Sequence, residues 1–126
     1  MQIETACIFG IVVIRLDGHF IDEIVLARSI EAFEKAKAPK VLINFENVEY
    51  INTNCFRSLA MMHQLLVTNG GDLRICSLKH MVRRLFGFAN LDSGYHIYNS
   101  EDEGIISFYN NLPSVAAFPI EATYSS

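Results

Sequence analysis

The chain reads as an α/β protein: a single mixed β-sheet of about five strands packed by about four helices, opened by an N-terminal β-hairpin. Three observations predict this. After two adjoining strand-like runs, strand-like and helix-like segments alternate along the sequence with connections of only a few residues. Val41-Leu42-Ile43-Asn44-Phe45 is an almost continuous apolar run of strand length, the pattern of a central strand covered on both faces. Elsewhere the apolar period switches to three and four, the signature of helices with one face in a core.

The elements follow in order. Ile3 to Phe9 and Ile11 to Leu16 are strand-like and meet at Gly10, which predicts a hairpin; Asp17-Gly18 closes the second run. From Asp22, a helix cap, Ile24, Ala27, Ile30 and Phe33 recur every three residues with charges opposite, predicting a helix that ends near Ala38-Pro39. A second helix follows Asn52-Thr53-Asn54. Its stripe is Phe56, Leu59, Ala60, His63, Leu66 and Val67, and Asn69-Gly70-Gly71 ends it. Leu73 to Cys76 is a strand, His80 to Phe86 a short helix with Arg83 and Arg84, Tyr95 to Tyr98 a final strand, and Glu101 to Tyr109 a last helix. Residues 1–110 thus form one domain. Residues 111–126 form a tail, with Pro113 and Pro119 around an apolar Val115-Ala116-Ala117-Phe118, fit to lie on the domain or on a partner.

Composition narrows the function. A chain of 126 residues can bury roughly 65% of its unfolded surface in one core. A net charge of −4 argues against nucleic acid as a partner, since that affinity rests on clustered Lys and Arg. Cys7, Cys55 and Cys76 have no metal-ligand spacing; Cys7 and Cys76 read as small buried hydrophobes, the usage of a reducing, cytoplasmic setting. No leader segment opens the chain, and no apolar run is long enough to insert in a membrane.

No catalytic constellation emerges. There is no glycine-rich phosphate loop, no metal cluster, and no His pair at ligand spacing, so neither cofactor nor metal is expected. Cys55 lies in a first helical turn, where the macrodipole lowers a thiol pKa, but a nucleophile also needs a general base and none is nearby in sequence. A packing cysteine is the better reading. The acids Asp22-Glu23 and Glu101-Asp102-Glu103 coincide with helix starts, where carboxylates stabilise free amides. His63 reads as a packing histidine, and Arg83-Arg84 as either a local basic spot or a solvated helix face.

The cluster Asn52-Thr53-Asn54-Cys55 carries the functional question. Thr53 or Asn54 is placed to cap the helix. A hydroxyl at the C-terminal end of a strand also sits where α/β sheets commonly place their sites, and a phosphate there would add roughly −1.5 to −2 charges. Cap and switch stand side by side on the residues alone.

At this point the chain resembles the STAS domain family, the anti-sigma-factor antagonists, over about residues 3 to 110. Leu16-Asp17-Gly18-His19-Phe20 is similar to the family's turn after the second strand, and Val41 to Val48 to the strand before its switch. Gly70-Gly71-Asp72-Leu73 is similar to its glycine turn, and Val82-Arg83-Arg84-Leu85-Phe86 to its next helix. The family's Asp-Ser-Ser-Gly or Asp-Ser-Thr-Gly motif is here Asn52-Thr53-Asn54-Cys55, so its phosphorylated serine falls on Thr53. The resemblance implies a non-catalytic regulator. Its partners would be a serine kinase that doubles as an anti-sigma factor and a PP2C-type phosphatase. It implies an interface made by Gly18, His19 and Phe20 together with Asn52, Thr53, Asn54, Cys55 and Phe56. The departures at 52, 54 and 55 leave an alternative: a binding or assembly module without a phospho-switch, as a complex scaffold, a homodimer, or a binder of lipid or a small ligand.

Overall fold

The computed structural model describes residues 2–22, 24, 26, 28, 39–88 and 96–110, and for residues 2 and 19–21 the backbone alone. Most of the helix expected from Asp22 to Ala38, Tyr95 of the final strand, and the tail 111–126 lie outside the described residues. Five strands form one mixed sheet in the order β1-β2-β3-β4-β5: β1 Gln2–Ile8, β2 Ile11–Ile21, β3 Lys40–Ile51, β4 Asp72–Cys76 and β5 His96–Tyr98. β1 pairs antiparallel with β2, and every other pairing is parallel. The described helices are α1 Cys55–Thr68, α2 His80–Phe88 and α3 Glu101–Asn110. Ile24, Leu26 and Arg28 are also helical. Asp22 accepts from the Ile24 amide at 3.1 Å, the capping expected of it.

The hairpin turn is Phe9-Gly10, both with positive φ (52° and 79°), which matches the right-handed twist of the strands it joins. Period-two alternation then distributes the core. Ile14, Leu16, Val41, Ile43 and Phe45 face the larger cluster, which takes Leu59, Met62 and Leu66 from α1 and Val82 and Phe86 from α2. Ile11, Val13, Leu42 and Cys76 face the smaller cluster, closed by Tyr98 and Ile105. The run Val41–Phe45 is indeed buried on both faces.

Three readings of the sequence differ from the structure. β2 does not stop at Asp17-Gly18: it continues to Ile21, because Gly18, Phe20 and Ile21 pair with Val48, Tyr50 and Ile51 of a β3 that also runs on to Ile51. A register shift between Arg15 and Asp17 gives β3 an extra residue, and the Asn44 side chain takes up the Glu46 amide there at 2.7 Å. Cys7 is exposed rather than buried, because it stands on the edge strand β1, opposite a half-buried Val12. The buried stripe of α1 is Cys55, Leu59, Met62 and Leu66, while Ala60 and Val67 are exposed. The helix therefore faces the sheet about one position away from the expected stripe.

α1 ends as anticipated. Gly70 (φ 85°) donates to Val67 O and Gly71 to Leu66 O, the paired bonds that close a helix through a left-handed residue.

Candidate functional site

The site forms at the C-terminal ends of the parallel strands, where β3 passes into α1. Ile51 is buried at the end of β3 and Cys55 is buried at the start of α1, so Asn52, Thr53 and Asn54 span from one anchor to the next. Asn52 is half-buried, while Thr53 and Asn54 are exposed.

Hydrogen bonding decides which residue caps the helix. The Asn52 Oδ1 accepts from the Asn54 amide at 2.8 Å, and the Asn52 carbonyl accepts from Cys55 N at 2.8 Å. Thr53 O takes Phe56 N at 3.1 Å and Asn54 O takes Arg57 N at 3.2 Å. These i+3 bonds tighten the first turn, and the amides from Asn54 to Arg57 are all occupied. Asn54 already has helical dihedrals and makes no side-chain cap bond. The cap expected from Thr53 or Asn54 is thus supplied by Asn52. Thr53 keeps an exposed hydroxyl with no hydrogen-bond partner among the described residues.

The remaining residues divide by depth. Cys55 is 0% exposed within the larger core, so its thiol is inaccessible as a nucleophile. Phe56 is half-buried, with its ring edge-on to Phe86 of α2 at 5.2 Å, and Phe86 is likewise edge-on to Phe45 at 6.1 Å. This chain of rings ties the first turn of α1 to α2 and β3. The backbone of Gly18, His19 and Phe20 runs beside β3, with Gly18 against Val48 and Phe20 against Tyr50. Both halves of the expected interface therefore reach the same end of the sheet. The side chains of His19 and Phe20 lie outside the described residues. Outward from Thr53, α1 shows exposed Arg57 and Met61 (65% exposed), whereas its neighbour Met62 is buried.

A second polar cluster was not legible in the sequence. Arg15 of β2 donates to Glu101 of α3 through Nε at 2.9 Å and Nη2 at 2.8 Å, and Asn44 Nδ2 donates to the same carboxylate at 2.8 Å. The Arg15 hydrogen bonds, aided by Asn44, hold the Glu101 carboxyl below its ordinary pKa, and Glu101 in turn holds the Arg15 guanidinium above its own. Arg74 makes a parallel tie from β4, donating to Ser107 O at 2.8 Å and Oγ at 2.9 Å beneath the Phe108 ring. Both clusters fasten α3 to the sheet. Burial pushes the Cys76 thiol up to about 12, so it stays protonated and inert.

The other singled-out residues have structural partners. His63 lies 3.5 Å from Asp72. Arg83 donates to Asn99 at 2.6 Å, and Arg84 stacks over Phe88 at 5.6 Å. Among the described residues no group of His, Cys, Asp and Glu has metal-site geometry, and no helix is long and apolar enough to cross a membrane.

Comparison with known proteins agrees with this architecture. Residues 2–104 match the profile of the STAS domain. An anti-sigma F factor antagonist of Paenibacillus polymyxa is 22% identical over 104 residues, covering 80% of this chain and 89% of that protein. Among solved structures, an anti-sigma factor antagonist from Mycobacterium paratuberculosis superposes with a TM-score of 0.74 at 20% identity, over 84% of this chain and 92% of that one. The anti-sigma factor antagonist SpoIIAA in its unphosphorylated form gives 0.70 at 18% identity, over 88% and 98%. At these identities the structural likeness speaks to the fold.

Proposed function

This chain belongs to the STAS domain family, and from that premise we propose that Thr53 is the phosphoacceptor of a partner-switching cycle. At the level of the family, the chain is a non-catalytic, anti-sigma-factor-antagonist-like regulatory module. In the proposed cycle the unphosphorylated domain binds a serine kinase that doubles as an anti-sigma factor. The kinase then phosphorylates Thr53 and so ends the contact, and a PP2C-type phosphatase restores it.

One observation carries the reading: the Thr53 hydroxyl is exposed and has no hydrogen-bond partner among the described residues, while Asn52 holds the turn. The acceptor is free to react because the local structure does not need it. The occupied amides from Asn54 to Arg57 supply the second half of the mechanism. A phosphate on Thr53 meets amides from Asn54 to Arg57 that are already taken, so its charge projects from the surface and repels or desolvates against a bound partner. The interface comprises the exposed and half-exposed surface of Asn52, Thr53, Asn54 and Phe56, with the strand end Gly18-His19-Phe20 beside it. Cys55 supports that surface from beneath.

The departures at Asn52, Asn54 and Cys55 favour a second reading, a binding or assembly module without the switch. Incubation of the full chain with ATP and a serine kinase of the GHKL type separates the two. The switch predicts one added phosphate by intact mass, mapped to Thr53 and absent from Thr53→Ala. A bound but unmodified chain leaves the assembly reading.

A further inference from the structure

At the other end of the sheet, Phe9, Ile105, Ile106, Tyr109 and Asn110 line an apolar groove of about 500 Å³. Three features mark it as a built surface. Phe9 is 78% exposed yet holds a left-handed conformation in the hairpin turn, a position that favours Asn, Asp or Gly. Local backbone preference would remove a phenylalanine there, so its ring serves something beyond the turn. Tyr109 donates its hydroxyl to the Phe9 carbonyl, which fixes the two aromatic walls against each other. Lys40 lies over the Tyr109 ring at 5.1 Å, holding it from the other side. Ile106 and Tyr109 are also exposed, so a contiguous apolar surface faces outward.

We propose that this groove is the docking site of the chain's own C-terminal segment, with Val115-Ala116-Ala117-Phe118 as the apolar occupant. Asn110 both lines the groove and is the residue from which the last 16 residues depart. Val115 is therefore within about 17 Å of Asn110 and Phe118 within about 28 Å, even on a fully extended chain. A tether this short keeps the segment at an effective concentration on the order of millimolar, which no free partner of similar sequence matches. The segment Val115–Phe118 is apolar and uncharged, as the groove is. Pro113 narrows the conformations open to itself and to the residue before it, which lowers the entropy lost on docking. The groove lies at the start of β2 and the Thr53 junction at the ends of β2 and β3, about 35 Å away along an 11-residue strand. The segment thus covers a surface remote from the proposed interface and does not compete with a partner there.

Isotope-edited NMR of the full chain tests this. The expected result is nuclear Overhauser contacts from the Phe118 ring to Ile106 methyls and the Phe9 ring within one molecule. Phe118→Ser should abolish them and shift the amides of Phe9, Gly10, Ile106 and Tyr109, while core methyls of Leu59 and Val82 stay in place. Phe118→Leu should retain the native positions. Unmoved groove amides in Phe118→Ser overturn the proposal. So do contacts seen only between differently labelled chains in a mixed sample, which assign the groove to a second copy, and a groove occupied by a co-purified small molecule.

Discussion

Helices α1 and α3 both begin where a parallel strand ends, and their first turns are chemically opposite. The start of α3 is saturated with negative charge: Glu101, Asp102 and Glu103 occupy the first turn. Ser100 Oγ accepts from Glu103 N at 3.2 Å, and Glu103 reaches back to the Asn99 amide at 3.3 Å. Glu101 is then spent on Arg15 and Asn44. The start of α1 has no acid in its first turn and a neutral Asn52 as its cap. The macrodipole is compensated at one start and left uncompensated at the other. A helix start that is only structural gathers its own counter-charge. In the proposed switch, a start without counter-charge is the one whose local field a phosphate would change most.

Five substitutions separate these roles, from the largest expected effect to the smallest. Glu101→Ala leaves Arg15 and the Asn44 amide without their shared acceptor and should lower stability by about 2 kcal/mol in urea denaturation. The same carboxylate predicts a pH dependence. Its folded pKa is depressed, so its stabilisation is complete above the ordinary carboxylate value of 4.5 and is lost as pH falls through the folded value. The decline between neutral and acidic pH should be shallower in Glu101→Gln, and equal slopes for the two chains would break the comparison.

Thr53→Glu places a charge at the bare start and should weaken the proposed kinase partner roughly tenfold or more, about 1.4 kcal/mol by calorimetry. Its melting temperature should hold or rise, because the dipole welcomes the charge. Unchanged affinity would sink the switch. Asn52→Ala removes the side-chain acceptor for Asn54 N and should cost about 1 kcal/mol. Thr53→Ala should change stability by less than about 0.5 kcal/mol, since the hydroxyl bonds to none of the described residues. If the two alanine variants exchanged magnitudes, Thr53 would be the cap and the division of labour would fail.

Much of this architecture was legible because it rests on local periodicity. The apolar run Val41–Phe45, the glycines after Val67-Thr68-Asn69 and the hairpin at Gly10 each follow from side chains close in sequence. Strand length was not legible. Asp17-Gly18 reads as a stop, yet β2 and β3 pair beyond it, and cross-strand hydrogen bonds outweigh the local preference of two turn residues. The hydroxyl-bearing junction was also visible, and the resemblance is what points to Thr53 as the acceptor proposed there. That Asn52 rather than Thr53 or Asn54 caps the helix was not, since Asn, Thr and Asn all cap well and only backbone geometry chooses among them.

By itself, then, the sequence determined the mixed sheet, the hairpin and the position of a polar junction, because hydrophobic period and turn chemistry act over a few residues. Tertiary structure alone decided that Glu101 meets Arg15 across 86 positions, that Cys7 is exposed while Cys55 is sealed in the core, and that Thr53 is exposed beside a cap made by Asn52. Those outcomes depend on which edges, faces and ends the chain brings together, and no local pattern encodes that.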